Sequence, residues 1–446
     1  MFVVNDGLGF VAVLAIILFA TKSLGLLFRH FGLPQVLGFI IAGILVGPAI
    51  FGDFCGFTLI GFEGKDYFAL FSLPVGENGK NILLETFSKI GVLLLMFAAG
   101  LETNLQELKH TGLASALVAC AGVAVPMLFG FLIALPFSSI GLGLDNLYRC
   151  LFIGTILTAT SVAITVSVLK ELGKINTKLG TTIVSAAIID DVIGIVLLSV
   201  VTGFAKTGAP DPNMNAFDAF KATPYGTVIM IVAFFVVAIA LGWVVSKVFK
   251  WLDKRWPSKI RLSIYSLVVC FIYSWLAERI FGVADITGAF LAGIVLSTDH
   301  RASVYIDSKI DVSSRSIFSP VFFANIGISS ISFIGMRAEI LLFAFLAVIL
   351  GILGKIIGCG AVCKAFKYSW RESAIGGVGM MARGEVALIV TQAVTATTLG
   401  ANALGSEFMI MTVLLILVSS ILTPILLKVL YKGVKEPEPD VIDPDD

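Results

Sequence analysis

Predominantly apolar runs of about 20 residues, the length of helix that crosses a hydrocarbon layer, recur from one end of this 446-residue chain to the other. They fall at 8–28, 34–50, 86–101, 112–136, 150–169, 179–204, 225–250, 260–277, 282–298, 316–334, 339–364, 373–400 and 407–431. Backbone polar groups in lipid must be satisfied within the segment that carries them, so thirteen transmembrane helices are predicted. Composition agrees: 58% of residues are hydrophobic and 14% charged, too few charges to cover a soluble surface.

Lys and Arg give the helices a direction, because cytoplasmic loops hold their excess. Taking alternate loops, one side holds 20 and the other seven. The N-terminus is therefore expected outside and the C-terminus inside. The first run has no basic residue before it and reads as a retained span of a cell-membrane protein. No soluble domain is expected: residues 1–436 read as one membrane unit and 437–446 as a short acidic cytoplasmic tail. A net charge of +1 leaves no nucleic-acid footprint. The six cysteines lie in apolar runs without zinc or disulfide spacing and read as small packing residues. No cofactor motif is found, and the partners expected are the bilayer and small ions.

A repeat is visible between the second and ninth runs. Gly38-Phe39-Ile40-Ile41-Ala42-Gly43-Ile44 matches Gly288-Ala289-Phe290-Leu291-Ala292-Gly293-Ile294 at both glycines, one alanine and the isoleucine. Copies seven helices apart enter the membrane from opposite sides, as in the inverted repeats of secondary transporters. Helices one to six and eight to thirteen would then be the two copies, and helix seven the linker. The competing reading is two unrelated small-residue packing stripes.

An ionisable group near mid-bilayer costs at least about 2.5–3.5 kcal/mol on insertion scales, so each asks for a partner or a function. Asp190 and Asp191 stand in the sixth run, Lys355 in the eleventh, and Arg383 and Glu385 in the twelfth. Their formal charges sum to −1, which a mobile cation or proton could balance. Neighbours on a helix point about 100° apart, so one aspartate can pair with Lys355 while the other faces a cavity. The fifth run carries Thr158, Thr160, Ser161 and Thr165, and carbonyls freed by unwinding there would suit an alkali cation. In the twelfth, Gly376-Gly377-Val378-Gly379 precedes Arg383-Gly384-Glu385, a stretch flexible enough to break. The fifth and twelfth are equivalents in the repeat, and corresponding interrupted helices point to a transport site.

Thr160-Ser161, Ile189-Asp190-Asp191-Val192-Ile193-Gly194, Gly354-Lys355-Ile356-Ile357-Gly358 and Arg383-Gly384-Glu385 resemble, in order and spacing, the sodium/proton antiporter members of the second monovalent cation:proton antiporter family. The resemblance implies that Asp191 binds the transported alkali cation or a proton. It makes Asp190 the partner of Lys355, Thr160 and Ser161 polar neighbours, and Arg383 and Glu385 polar support. It also implies a dimer domain and a mobile core domain around crossed, broken helices five and twelve, working as a homodimer by an elevator-like movement. Glutathione-gated relatives carry Gln-Asp in place of Asp190-Asp191 and add a nucleotide-binding domain; no nucleotide-binding regulatory domain is expected here. The expectation is an all-α antiporter exchanging Na⁺, or K⁺ or Li⁺, for protons. A sodium-coupled organic-anion symporter is the alternative, and a channel or receptor stands third.

Overall fold

The computed structural model describes residues 2–3, 7–31, 33, 35–48, 57–62, 68–73, 81–102, 112–137, 144–175, 177–205, 215–221, 223–255, 259–297, 305–306, 309–310, 312–329, 338–395 and 405–432. The acidic tail lies outside them. The first half of the chain forms α1 (Gly7–His30), α2 (Gln35–Val46), α3 (Ile82–Glu102), α4 (Leu113–Phe137), α5 (Leu144–Thr158), α6 (Val162–Glu171) and α7 (Lys178–Ala205). A short α8 (Ala216–Lys221) leads into α9 (Pro224–Arg255), and α10 (Lys259–Trp275) continues as a π-helical turn, Leu276–Ile280. Then follow α11 (Asp285–Ser297), a second π turn (Ser314–Phe318), α12 (Ser319–Ser329), α13 (Ala338–Ala365), α14 (Trp370–Gly379), α15 (Glu385–Thr395) and α16 (Gly405–Tyr431).

Among the described residues, eight helices are long and apolar enough to cross a membrane, and further apolar helices are shorter. Every predicted run holds helix, and the fifth and twelfth are each split in two. The all-α expectation needs correction, because strands β1 (Phe2–Val3), β2 (Phe57–Phe62) and β3 (Phe68–Leu73) form a parallel sheet in the order β1-β3-β2. Residues alternate in facing along a strand, and Thr58 and Ile60 are buried while Phe57 and Leu59 are exposed. Thr58 Oγ1 donates to the Val46 carbonyl at 3.0 Å. The sheet thus shares an apolar cluster, including Phe10, Ile17, Ile60, Leu73 and Ile328, with α1 and α12.

The short helices α2 and α11, which carry the repeated heptapeptide, are held alike. Gly38 lies against the Leu24 carbonyl of α1, the preceding helix, and Gly43 against the Ala324 carbonyl of α12. Gly288 lies against the Tyr273 carbonyl of α10, again the preceding helix, and Gly293 against the Phe97 carbonyl of α3. Each short helix therefore sets one glycine on its predecessor and the other on a helix from the opposite half of the chain. Small residues permit such backbone contact where apolar burial alone gives helices no reason to associate.

Helices α4 and α13 also pack closely: Gly354 abuts Pro126, and Gly358 abuts Ala121 and Val125. This close packing sets Lys355, one residue beyond Gly354, in a completely buried position.

Candidate ion site at the crossing of two interrupted helices

Helix α5 stops at Thr158 and α6 starts at Val162; α14 stops at Gly379 and α15 starts at Glu385. The non-helical pieces between them meet. The Ser161 amide donates to the Ala382 carbonyl at 2.8 Å. Thr165 Oγ1 donates to the Gly379 carbonyl at 2.7 Å and Thr160 Oγ1 to the Met380 carbonyl at 3.4 Å. Breaking a helix frees backbone groups that must find partners, and here each break supplies partners for the other.

Arg383 completes the arrangement. Its guanidinium is wholly buried. Nη1 donates to the carbonyls of Thr158, at 3.1 Å, and Ala159, and lies 3.4 Å from Thr160 Oγ1. Nη2 donates to the carbonyls of Leu157, at 2.6 Å, and Gly351 of α13, at 3.2 Å. A cation is stabilised at a helix C-terminus, where carbonyls converge and the dipole is negative, and Arg383 stands at the C-terminus of α5. The sequence reading gave these freed carbonyls to an alkali cation; three of them receive the arginine instead. The Arg383 backbone is pinned in turn, its amide donating to Ser419 Oγ at 3.1 Å and its carbonyl accepting from Ser420 Oγ at 3.2 Å.

Beside the crossing, α7 presents Asp190, 2% exposed, and α13 presents Lys355, 0% exposed, with Nζ 2.5 Å from Asp190 Oδ1. Gly122 of α4 makes the space for this ion pair, since a Cβ there would stand 3.3 Å from Lys355 Nζ and 2.8 Å from Cys359 Sγ. The Asp190 carboxylate is also near enough to act electrostatically on Arg383.

Asp191, one residue on, is half-buried. Ser161 is buried, and its Oγ has no hydrogen-bond partner among the described residues. The structure therefore brings Asp190, Lys355, Arg383, Thr160 and Ser161 into one polar region, and Asp191 follows Asp190 on α7. The side chain of Glu385 lies outside the described ones. Sequence reasoning missed Gly122, which carries no charge to draw notice, and Ser419 and Ser420, two hydroxyls lost among the apolar residues of the last run. It also passed over Lys89 in the third run.

The sequence profile of the family described as "Sodium/hydrogen exchanger, transmembrane" matches residues 12–432. The chain is 34% identical over 427 residues to the Na(+)/H(+)-K(+) antiporter GerN of Bacillus cereus, covering 95% of this chain and 96% of that protein. It is 32% identical over 430 residues to a Na(+)/H(+) antiporter of Enterococcus hirae, covering 95% and 99%. Among solved structures, the sodium proton antiporter MjNhaP1 of Methanocaldococcus jannaschii superposes with a TM-score of 0.64 at 15% identity, covering 94% of this chain and 97% of that one. That likeness is one of fold.

Proposed function

The chain belongs to the transmembrane sodium/hydrogen exchanger family, and on that premise we propose that it is a secondary antiporter exchanging a monovalent cation for protons. The observation that carries this reading to particular residues is the buried Asp190–Lys355 pair beside two interrupted helices. Asp191 is the carboxylate that holds either the cation or a proton. A half-buried carboxylate can be neutralised by both, and two ligands that exclude one another at the same oxygens are thereby coupled. Asp190 is the partner of Lys355, Thr160 and Ser161 are polar neighbours, and Arg383 is a fixed charge that holds the crossing. Sodium is the first cation to test, with potassium and lithium as alternatives. The relatives are named as antiporters, which favours this reading over an organic-anion symporter.

The finer architecture is also proposed. Thirteen spans cross the cell membrane with the N-terminus outside, and spans one to six and eight to thirteen are inverted copies. The exchanged glycine contacts of α2 and α11 support the repeat. The division into dimer and core domains, the homodimer and the elevator-like movement rest on the resemblance drawn from the sequence.

The test is transport by purified protein in liposomes, scanning alkali cations against an imposed pH gradient. Asp191→Asn should abolish exchange and leave a folded, monodisperse protein. Sustained cation/proton exchange by that variant would remove Asp191 from the site.

A further inference from the structure

A polar cavity of about 230 Å³ opens where α3, the π turn after α10, the start of α11, α7 and α15 meet. Four of its lining residues ionise: Glu85 and Lys89 of α3, Glu278 of the turn and Asp285 of α11. Lys89 Nζ lies 3.0 Å from Glu278 and 3.1 Å from Asp285. One ammonium thus bridges two carboxylates, and with Glu85 the group keeps two unbalanced negative charges. Ser88 also lines the cavity; it is 1% exposed, and its Oγ has no hydrogen-bond partner among the described residues. Buried hydroxyls are normally satisfied, so this one marks a place where a ligand oxygen would be welcome. Carboxylates and hydroxyls together are the hard-oxygen donors that alkali cations and their hydration waters prefer.

The cavity's position ties it to the proposed transport site. Thr202 lines it from α7 and follows Asp191 by eleven residues, which on a helix is three turns along the axis, within about 20° of the same face. Gln392 lines it from α15, the helix that follows the Arg383 break. The mouth therefore lies at the end of the strip of α7 that carries Asp191 deeper in. It also lies away from the loops rich in Lys and Arg, which is the outer side in the proposed topology.

We propose that this cavity is an antechamber of the transport path that collects the alkali cation, and that Lys89 is a tethered counter-cation competing with it for Glu278 and Asp285. The inference rests on the antiporter reading above. Lys89 and Glu278 are each about half exposed, at 51% and 50%, and ion pairs of that kind add little to stability. A purely structural role would also leave the buried Ser88 hydroxyl without a hydrogen-bond partner among the described residues.

The experiment measures the KM for sodium from each face, using right-side-out and inverted membrane vesicles containing the full chain. Lys89→Gln should lower the KM at the outer face about tenfold, the lower end of the range over which a charged cleft concentrates counter-ions. Asp285→Asn should raise it by a similar factor, and Lys89→Arg should return it to the wild-type value. Both shifts should shrink as a non-transported salt shortens the Debye length from about 30 Å to about 8 Å, and the KM at the inner face should not move. Equal shifts at both faces, no shift in either variant, or a fall in kcat with KM unmoved would overturn the proposal. Should Lys89→Gln fail to fold, the sided KM of Asp285→Asn decides alone. Failure of the Asp191 assignment would be seen separately, as exchange persisting in Asp191→Asn.

Discussion

Replacing Lys355 by Met removes one half of an ion pair in which neither side chain is more than 1% exposed. The remaining Asp190 must then either stay charged without its ammonium or take up a proton. Leaving a buried charge uncompensated costs about 3–5 kcal/mol. Protonation at pH 7 of a carboxyl with ordinary affinity, near pH 4, costs about 4 kcal/mol, and so sets a ceiling of that size. Because the folded variant escapes by binding a proton that the unfolded chain does not bind, stability rises as pH falls. The loss should shrink by about 1.4 kcal/mol for each unit below pH 7 until the ordinary carboxyl range is reached. The double replacement Lys355→Met with Asp190→Leu leaves no charge to satisfy and should lose less than either single variant. Unfolding in mixed micelles, followed by tryptophan fluorescence across pH 5–8, would measure all four proteins. Losses in the double variant equal to the sum of the single ones, or a Lys355→Met loss independent of pH, would refute a pair that is charged in the folded protein.

Three further outcomes are expected. Gly122→Ala places a methyl 2.8 Å from Cys359 Sγ and 3.3 Å from Lys355 Nζ, so it should destabilise by about 1–3 kcal/mol and slow exchange; adding Cys359→Ala should recover part of the stability, and no recovery would mean that the methyl is tolerated elsewhere. Arg383→Lys keeps the charge but not the planar fork that serves five acceptors, and at about 1.5–3 kcal/mol per charged hydrogen bond it should lower thermal stability and abolish exchange, whereas wild-type transport would show the fork to be dispensable. If Asp191 and the Asp190–Lys355 pair each release a proton when the cation loads, two protons cross per cation, and the gradients at which flux reverses should depend on voltage at about 2.3 kcal/mol per charge per 100 mV; reversal independent of voltage in sealed vesicles would take Lys355 out of the proton path.

The sequence revealed what the membrane imposes along one dimension. The run 179–204 corresponds to α7 at Lys178–Ala205, because lipid demands an unbroken apolar helix and tolerates a charge only where something pays for it. For the same reason Asp190, Lys355 and Arg383 stood out at once. Their partnerships were less legible, since Asp190 meets Lys355 across 165 residues and Arg383 meets Ala159 across 224. The Asp190–Lys355 pairing came from resemblance, and the capping of α5 by Arg383 was not foreseen. The parallel sheet escaped because β2 and β3 are six residues each, too short to register against helix-length runs. Lys89 escaped because an ammonium one or two turns into a span reads as snorkelling unless its two acids, 189 and 196 residues away, are known.

The capping of α5 bears on how coupling arises. In an interrupted helix whose carbonyls were open, an alkali cation could be held by neutral oxygens that never titrate, and its binding would owe nothing to pH. Here the carbonyls of Leu157, Thr158 and Ala159 are directed to a buried guanidinium with a permanent charge, and Arg383 is anchored from behind by Ser419 and Ser420. A second cation brought to those oxygens would meet that positive charge at close range and in a low dielectric, where repulsion is strong. The ligands left to it are the carboxylates of α7 with the hydroxyls nearby, and a carboxylate cannot hold a cation without excluding a proton. If the cation binds at the proposed α7 site, Arg383 would enforce exchange by withholding these backbone carbonyls. Replacing it with Gln, which can still donate to one or two of the carbonyls but bears no charge, should loosen the coupling: in proteoliposomes, cation flux down its own gradient should exceed the proton counter-movement it drives. Flux that remains strictly tied to proton movement in that variant would refute the argument.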